Sequence, residues 1–547
     1  MAKRLANVKT RNQVGMDYVI SCLNIITPYG KKELKGLVPF RCGEESLLKK
    51  ELLRVAAMAD IYRSYKEFCD NIERAMMLMK DCIFTIERAK KNVLTVVELF
   101  ELKSLLLAMR ALDQAVEDGS GELKELYPKE FLLEDTEELL NALDPRGDRI
   151  NTFYIYDEFS PRLGNLRKEK REIEIRARSL RKAESIKLKE EKGISLTPKF
   201  DLSVSKSESF RIKEMETVGE LVKIDEDYMC VTFALRDSGE VCDLLRRMDL
   251  LDADIDEEEM TVRVELSKRV ARCERNLLEN CRRIGSLDMT YAKAVHAVLH
   301  HLTMPEIVDD HMLEFENGRQ LQVEDVLRRK ERDYCPVSIS LKQGVTCITG
   351  ANMGGKTVSL KLVGLVAIMA QYGFFVPAEN AQVGLSNFIQ MLIGDSQSIE
   401  RGLSSFGSEM EELKEILDNS EDRSLLLIDE IASGTNPKEG AALCKSLVEY
   451  LMKKPYISLI TTHFDNVTDV SGVVNMQVAG LAGADFTKLK KELRYANRRE
   501  RIELIGKYMD YRLIRISGTS DVPKDALNIA GMLGVYSEII DKAKEYL

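Results

Sequence analysis

The eight residues Gly350-Ala351-Asn352-Met353-Gly354-Gly355-Lys356-Thr357 constrain this chain more than any other stretch. They fit the spacing G-x-x-x-x-G-K-[ST] and lie between an apolar run at 345–348 and a helical pattern at 357–372. The glycines let consecutive backbone N–H groups turn inward as an anion nest, and a helix N-terminus adds positive potential. Lys356 is spaced to reach the outer phosphates of a nucleotide, and the Thr357 hydroxyl to ligate Mg²⁺. The motif predicts that ATP with Mg²⁺ is held by Gly350, Asn352, Met353, Gly354, Gly355, Lys356 and Thr357. A chance match in a glycine-containing loop is the alternative, and the flanking strand and helix weigh against it.

Three further signals lie in the same region. Residues 425–430 read Leu-Leu-Leu-Ile-Asp-Glu, a buried strand that ends in two carboxylates. Asp429 is placed to hold Mg²⁺ through water, and Glu430 to act as general base on the attacking water. Thr461-Thr462-His463 follows another apolar run, and His463 at that strand tip is placed to sense or orient the γ-phosphate. A Ser/Gly-rich loop at 395–410 opens a helix and presents hydroxyl and N–H donors to phosphate, although an ordinary N-capped helix explains it too. From about Asp333 short apolar strands alternate with helices, which predicts a mostly parallel, doubly wound sheet.

At 547 residues the chain exceeds one ordinary core, so several domains are expected. Apolar residues recur at three- and four-residue spacing from Glu44 to Glu117, predicting long amphipathic helices before a Gly119-Ser120-Gly121 break. Residues 16–37 predict a helix, a Pro-Tyr-Gly turn and a second helix. Residues 167–192 carry eleven Lys/Arg against six Asp/Glu on a helical pattern, either a solvated arm or one that contacts a nucleic-acid backbone. Segments 210–213, 220–224 and 229–235 predict short strands in an acidic island, followed by a solvated loop at 249–259 with seven carboxylates and a helix over 262–284. The whole-chain balance of 80 basic and 90 acidic residues excludes a uniformly basic nucleic-acid coat.

Eleven cysteines without a C-x-x-C pair argue against a disulfide framework or zinc site, and His296, His300 and His301 are expected as helix-surface or core residues. No uninterrupted run of 18 apolar residues occurs, and residues 1–15 are basic and polar without a signal-peptide core. A cytoplasmic protein that makes no membrane contact is expected.

The sequences GANMGGKT, GDSQSIERGLSSFGSEM, LLLIDEIASGTNPKEG and TTHF, in that order, resemble the ATPase domain of the MutS family, relatives of the ABC ATPases. FENGRQ at 315–320, FFVPAENAQV at 374–383 and the C-terminal stretch from Asp525 resemble flanking parts of that family, and MDYVISCLNIITPYGKKEL and SLDMTYAKAV its lever. The resemblance implies a multidomain α plus α/β fold: a helical lever and core domain at 1–165, clamp-like charged arms with a β-rich tip at 166–280, a returning helix and linker at 281–332, and a P-loop ATPase domain with dimerisation helices at 333–547. It implies a homodimer, or a dimer with a paralogous subunit. Ser404 and Ser405 would reach the neighbour's γ-phosphate in trans, and Gly434 and Thr435 would lie at the dimer seam.

Several positions depart from the family pattern. Ala351 replaces a usual proline, Gly407 interrupts the signature pattern, and the tip is acidic where a DNA grip should be basic. With lever-like sequence near residue 16 and the sequence read to Leu547, neither a mismatch-reading domain nor a nuclease-like extension is expected. Three functions follow as expectations: a dimeric ATPase acting on structured or branched DNA, a reactivase component remodelling a cobalamin-dependent lysine 5,6-aminomutase or ornithine aminomutase, or a non-hydrolysing structural dimer. The intact Lys356, Thr357, Asp429, Glu430 and His463 oppose the last.

Overall fold

The computed structural model describes residues 4–350, 355–394, 405–464, 467–481, 486–493, 501, 504–505, 507–516 and 525–546. The chain divides into two compact units, one of residues 1–73, 115–132 and 284–547, the other of residues 74–114 and 133–283. The described strands are β1 (Asp201–Ser205), β2 (Leu221–Glu226), β3 (Cys230–Leu235), β4 (Glu306–Val308), β5 (Met312–Gly318), β6 (Val337–Lys342), β7 (Gly344–Thr349), β8 (Asn380–Gly384), β9 (Phe388–Ile393), β10 (Ser424–Asp429), β11 (Ile457–Thr461), β12 (Val474–Gly480) and β13 (Asp510–Arg515). The fold is mixed, helices with three sheets.

In the first unit a six-stranded sheet runs β13-β12-β7-β11-β10-β9. All its pairings are parallel except β12 with β13, as the strand–helix alternation predicted for most of the sheet. Parallel strands covered on both faces read as continuous apolar runs, and every residue of β10 and β11 is buried. The helix Lys356–Gln371 lies against this sheet and is buried along most of its length. Gly364 permits the approach, because a Cβ there would stand 2.6 Å from Val14 Cγ1 and 2.8 Å from Leu427 Cδ1. A second sheet of the same unit has the order β4-β8-β5-β6.

The N-terminal segment is tied to the edge of the large sheet. Ile389 N–H donates to Leu5 O at 2.7 Å, and Thr10 Oγ1 donates to Gln390 Oε1 at 2.9 Å. Pro-Tyr-Gly is not a turn between helices as the sequence suggested. It is the first turn of helix Pro28–Lys35, where proline costs no hydrogen bond and Thr27 caps Gly30 N–H. Buried Asp288 accepts from both Thr27 N–H and Thr27 Oγ1 at 2.7 Å, which anchors that cap.

In the second unit the expected charged arm is the helix Pro161–Lys192. It pairs antiparallel with helix Gly239–Arg272, so residues 249–259 are helical and not a solvated loop. Leu251, Ile255 and Val262 are the reason: they recur on one face and are buried there, which the density of carboxylates obscured. The helix expected over 262–284 is interrupted at Cys273, between Gly239–Arg272 and the next helix, Glu274–Leu299. Several carboxylates of this helix and the turn before it face the arm. Arg167 donates to Glu259 at 2.6 Å, Arg181 chelates Asp237 at 2.7 Å, Arg176 meets Glu240 at 2.6 Å, and Lys170 pairs with Asp252. Residues 237–272 hold six Lys/Arg against eleven Asp/Glu, cancelling the arm's excess. Exposed pairs of this kind contribute only ~0–1 kcal/mol each, so their effect is on the field more than on stability.

Beyond the helix pair, β1, β3 and β2 form an antiparallel sheet in that order. The strands expected at 220–224 and 229–235 are present as β2 and β3. The one expected at 210–213 is instead part of helix Ser209–Thr217, whose Met215 and Ile212 fill the core beneath Val231 and Phe233.

His296 is buried as expected, and burial next to His300 pushes its pKa down to about 4. Among the described residues no His/Cys/Asp/Glu group is arranged to hold a metal ion, and no helix is long and apolar enough to cross a membrane.

The second unit also contains a buried ion pair, Lys103 Nζ to Asp144 Oδ1 at 3.0 Å, with side-chain exposures of 1% and 2%. Burial alone would raise the Asp144 carboxyl, but hydrogen bonds from Arg149 N–H and Lys103 outweigh it and hold the group below its usual range. Lys103→Ala should therefore cost ~3–5 kcal/mol in chemical unfolding, by removing the hydrogen-bonded cation of a buried carboxylate and leaving only the Arg149 guanidinium at 3.7 Å. A carboxyl lowered in the folded state stabilises at neutral pH and loses that contribution as pH falls through its folded pKa, so the gap between wild type and Lys103→Ala should narrow in acid.

Candidate functional site

β7 ends at Thr349, and Gly350 follows with φ +125°, a conformation that favours glycine. Gly355, at φ +77°, starts the helix Lys356–Gln371, and a Cβ there would stand 3.1 Å from Tyr511 Cδ1. Asn352, Met353 and Gly354, expected in a phosphate loop, lie outside the described residues. So do Ser404 of the Ser/Gly-rich loop and the side chain of Ser405, which opens helix Ser405–Asn419.

Strand order brings the remaining residues together. β7, β11 and β10 are adjacent and parallel, so their C-terminal ends meet along one edge of the sheet. Thr357 Oγ1 donates to Asp429 Oδ2 at 2.8 Å, although the two residues are 72 positions apart. Thr461 Oγ1 donates to Asp429 Oδ1 at 2.6 Å and accepts from Glu430 N–H at 3.0 Å. Asp429 is buried, with both carboxylate oxygens engaged. Lys356, 3% exposed, donates to Gly350 O and pairs with Glu430 Oε1, each at 2.9 Å. The structure thus gathers Gly350, Gly355, Lys356, Thr357, Asp429 and Glu430.

His463 is not bonded into this cluster among the described residues. It is exposed one residue beyond Thr462, its ring 4.4 Å from that of Phe464, and among the described residues no hydrogen bond joins it to Lys356 or Asp429. Thr461 does more than the sequence suggested, bridging two strands through one hydroxyl.

Two features escaped the sequence. Glu430 and Ala432 both have positive φ, +46° and +61°, so the turn after β10 is left-handed at two non-glycine positions. Glu409, on helix Ser405–Asn419, steadies that turn by accepting from Ala432 N–H at 3.1 Å. Burial raises the Glu409 carboxyl, with the Ala432 bond opposing. A glutamate inside a Ser-rich helix start carries no sequence signal for that contact.

The second missed feature is a cavity of about 660 Å³ beside the helix start, lined by Tyr334, Val337, Gly355, Lys356, Met509 and Tyr511 among others. A volume of this order suits a small organic ligand. Thr357 and Asp429 offer a hydroxyl and a carboxylate within hydrogen-bond distance, hard oxygen donors of the kind Mg²⁺ takes.

Comparison with known proteins supplies a family for this part of the chain. Residues 346–508 match the family described as MutS domain V. An endonuclease MutS2 of Clostridium botulinum (strain ATCC 19397 / Type A) is 36% identical over 273 residues, 48% of this chain and 30% of that protein. Those of Fusobacterium nucleatum and Finegoldia magna are 33% identical over 284 residues and 32% over 312, covering 33% and 36% of their lengths. The chain spans about a third of the length of these curated relatives.

Glu409→Ala should leave the buried Ala432 N–H without an acceptor and cost ~1–3 kcal/mol in denaturant unfolding. Glu409→Gln keeps a carbonyl acceptor and should cost clearly less. Equal losses in the two variants would show that the Ala432 bond is not what Glu409 contributes.

Proposed function

We propose, for a chain that belongs to the MutS family through its domain V, that it hydrolyses ATP with Mg²⁺ at the shared edge of β7, β10 and β11. One observation carries this: the bonded set Lys356, Thr357, Asp429, Glu430 and Thr461, assembled from three adjacent parallel strands and one helix start. The cavity flanked by Tyr334 and Tyr511 supports a place for a planar base beside the phosphate loop.

The chemistry follows from the contacts. Lys356 is buried against Glu430 and Gly350 O, and nucleotide phosphates compete for its ammonium. Once Lys356 turns to phosphate, the Glu430 carboxylate is free to accept a proton from water. The water oxygen forms the new bond to the γ-phosphorus, the bond to the bridging oxygen breaks, and ADP leaves with that electron pair. Thr357 and Asp429 are the residues that would hold Mg²⁺, which when bound neutralises charge on the phosphate oxygens. Thr461 fixes Asp429 and the Glu430 backbone at one distance from each other.

The wider reading is a dimer, with itself or a paralogous subunit, in which Ser404 and Ser405 complete the partner's site and His463 orients the γ-phosphate. ATP-driven closure would then move lever and clamp segments, since a ligand shared across an interface shifts the population of the closed state. The name of the relatives, endonuclease MutS2, supports a nucleic acid as the client, and structured or branched DNA is the form proposed here. One observation favours a second reading, remodelling of a protein such as a cobalamin-dependent aminomutase: the arm's positive charge is matched by the carboxylates of the helix beside it.

Lys356→Ala should abolish nucleotide binding in equilibrium titration. Glu430→Gln should keep binding and lower kcat by ~10²–10⁴-fold. Wild-type turnover in either variant contradicts the assignment. If DNA is the client, its affinity should fall steeply with added salt, and no retention of branched DNA at low salt removes that reading.

A further inference from the structure

The three-stranded sheet of the second unit has one end attached to the helix pair and one end free. Ser205 at the end of β1 pairs with Cys230 at the start of β3, and Lys206 N–H donates to Met229 O at 2.8 Å. The loop after β1 and the turn between β2 and β3 therefore lie side by side at the free end. Four large apolar side chains stand out in this region: Phe210 at 82% exposure, Ile224 at 58%, Tyr228 at 96% and Met229 at 72%. They are not spill-over from the core, because Val204, Met215, Leu221, Val231 and Phe233 already close it on the inner face.

The surrounding charge is acidic. Residues 200–236 carry eight Asp/Glu against five Lys/Arg. Three of these five cations are paired, Lys206 and Lys223 with Glu226 and Arg211 with Glu208. Asp227 accepts from Met229 N–H and Cys230 N–H in the turn itself, which keeps an anion beside Tyr228.

We propose that this free end, Phe210, Ile224, Tyr228 and Met229 rimmed by Asp225 and Asp227, is a docking surface for a protein partner that presents apolar side chains flanked by Lys or Arg. The inference deepens the protein-client reading and rests on it, but it needs nothing from the nucleotide chemistry. Aromatic and methionine side chains at the centre of a small patch are the usual anchors of protein interfaces, each aromatic burying ~150–250 Å². A patch of this size suits a transient contact better than an obligate one. Nucleic acid fits less well: stacking of bases on aromatics works alongside cations that hold the backbone, and here three of the five local cations are committed to glutamates and carboxylates outnumber cations eight to five.

The test uses the full chain and a Phe210→Ser/Tyr228→Ser/Met229→Ser variant. All three residues are exposed, so folding should be unaffected, with ATP hydrolysis and thermal unfolding as controls. The probes are immobilised extended peptides alternating Leu with Lys, Leu with Glu, or Ser with Lys, together with oligo(dT). The wild-type chain should hold the Leu/Lys peptide roughly tenfold tighter than the other two, and the variant should lose roughly that factor, a hot-spot-sized effect. Equal binding of the Leu/Lys peptide by variant and wild type overturns the proposal. So does oligo(dT) binding that the same substitutions abolish, which would make the tip a nucleic-acid contact. If the peptide result holds while the wild-type chain releases no phosphate from ATP, the ATPase reading fails and the docking surface stands.

Discussion

Asp429 is the group on which the rest of the candidate site depends. It is a buried carboxylate with both oxygens engaged, one by Thr357 from the helix start and one by Thr461 from the neighbouring strand. A buried anion needs such partners, and here the partners tie three segments of the sheet to one another. Glu430 is held next to it through Thr461, and Lys356 closes the ring by pairing with Glu430. Because β7, β11 and β10 are adjacent and parallel, their C-terminal ends can converge on one carboxylate, which is where ligands bind in open α/β sheets.

The parts of the fold legible in the sequence are those with one dominant signal. β7, β10 and β11 stand out as apolar runs because both faces of a central parallel strand are covered. The charged arm stands out because its helical pattern has no breaker before Gly193. Thr357 meets Asp429, and Lys356 pairs with Glu430, a contact that the motif spacing did not announce.

Three misreadings have separate local causes. At 249–259 the carboxylates hid an apolar face of Leu251 and Ile255, and only the partner helix gives those charges a reason to be there. At 210–213 a short apolar run had too few residues to separate strand from helix, and packing against β1 and β2 decided it. At Pro28 the proline marks a helix start and not a turn, because its missing N–H falls where no partner is needed. Glu409 and the cavity beside Tyr511 were invisible for a different reason: both arise from segments brought together by the fold, with no local spacing to announce them.

Hydrogen exchange with and without MgATP reads each strand end of the proposed nucleotide site separately. If ATP binds there, protection should concentrate at the start of helix Lys356–Gln371, at residues 429–433 and at residues 461–462, while residues 167–192 exchange as before. No protection at the ends of β10 and β11, or protection confined to other parts of the chain, would contradict it.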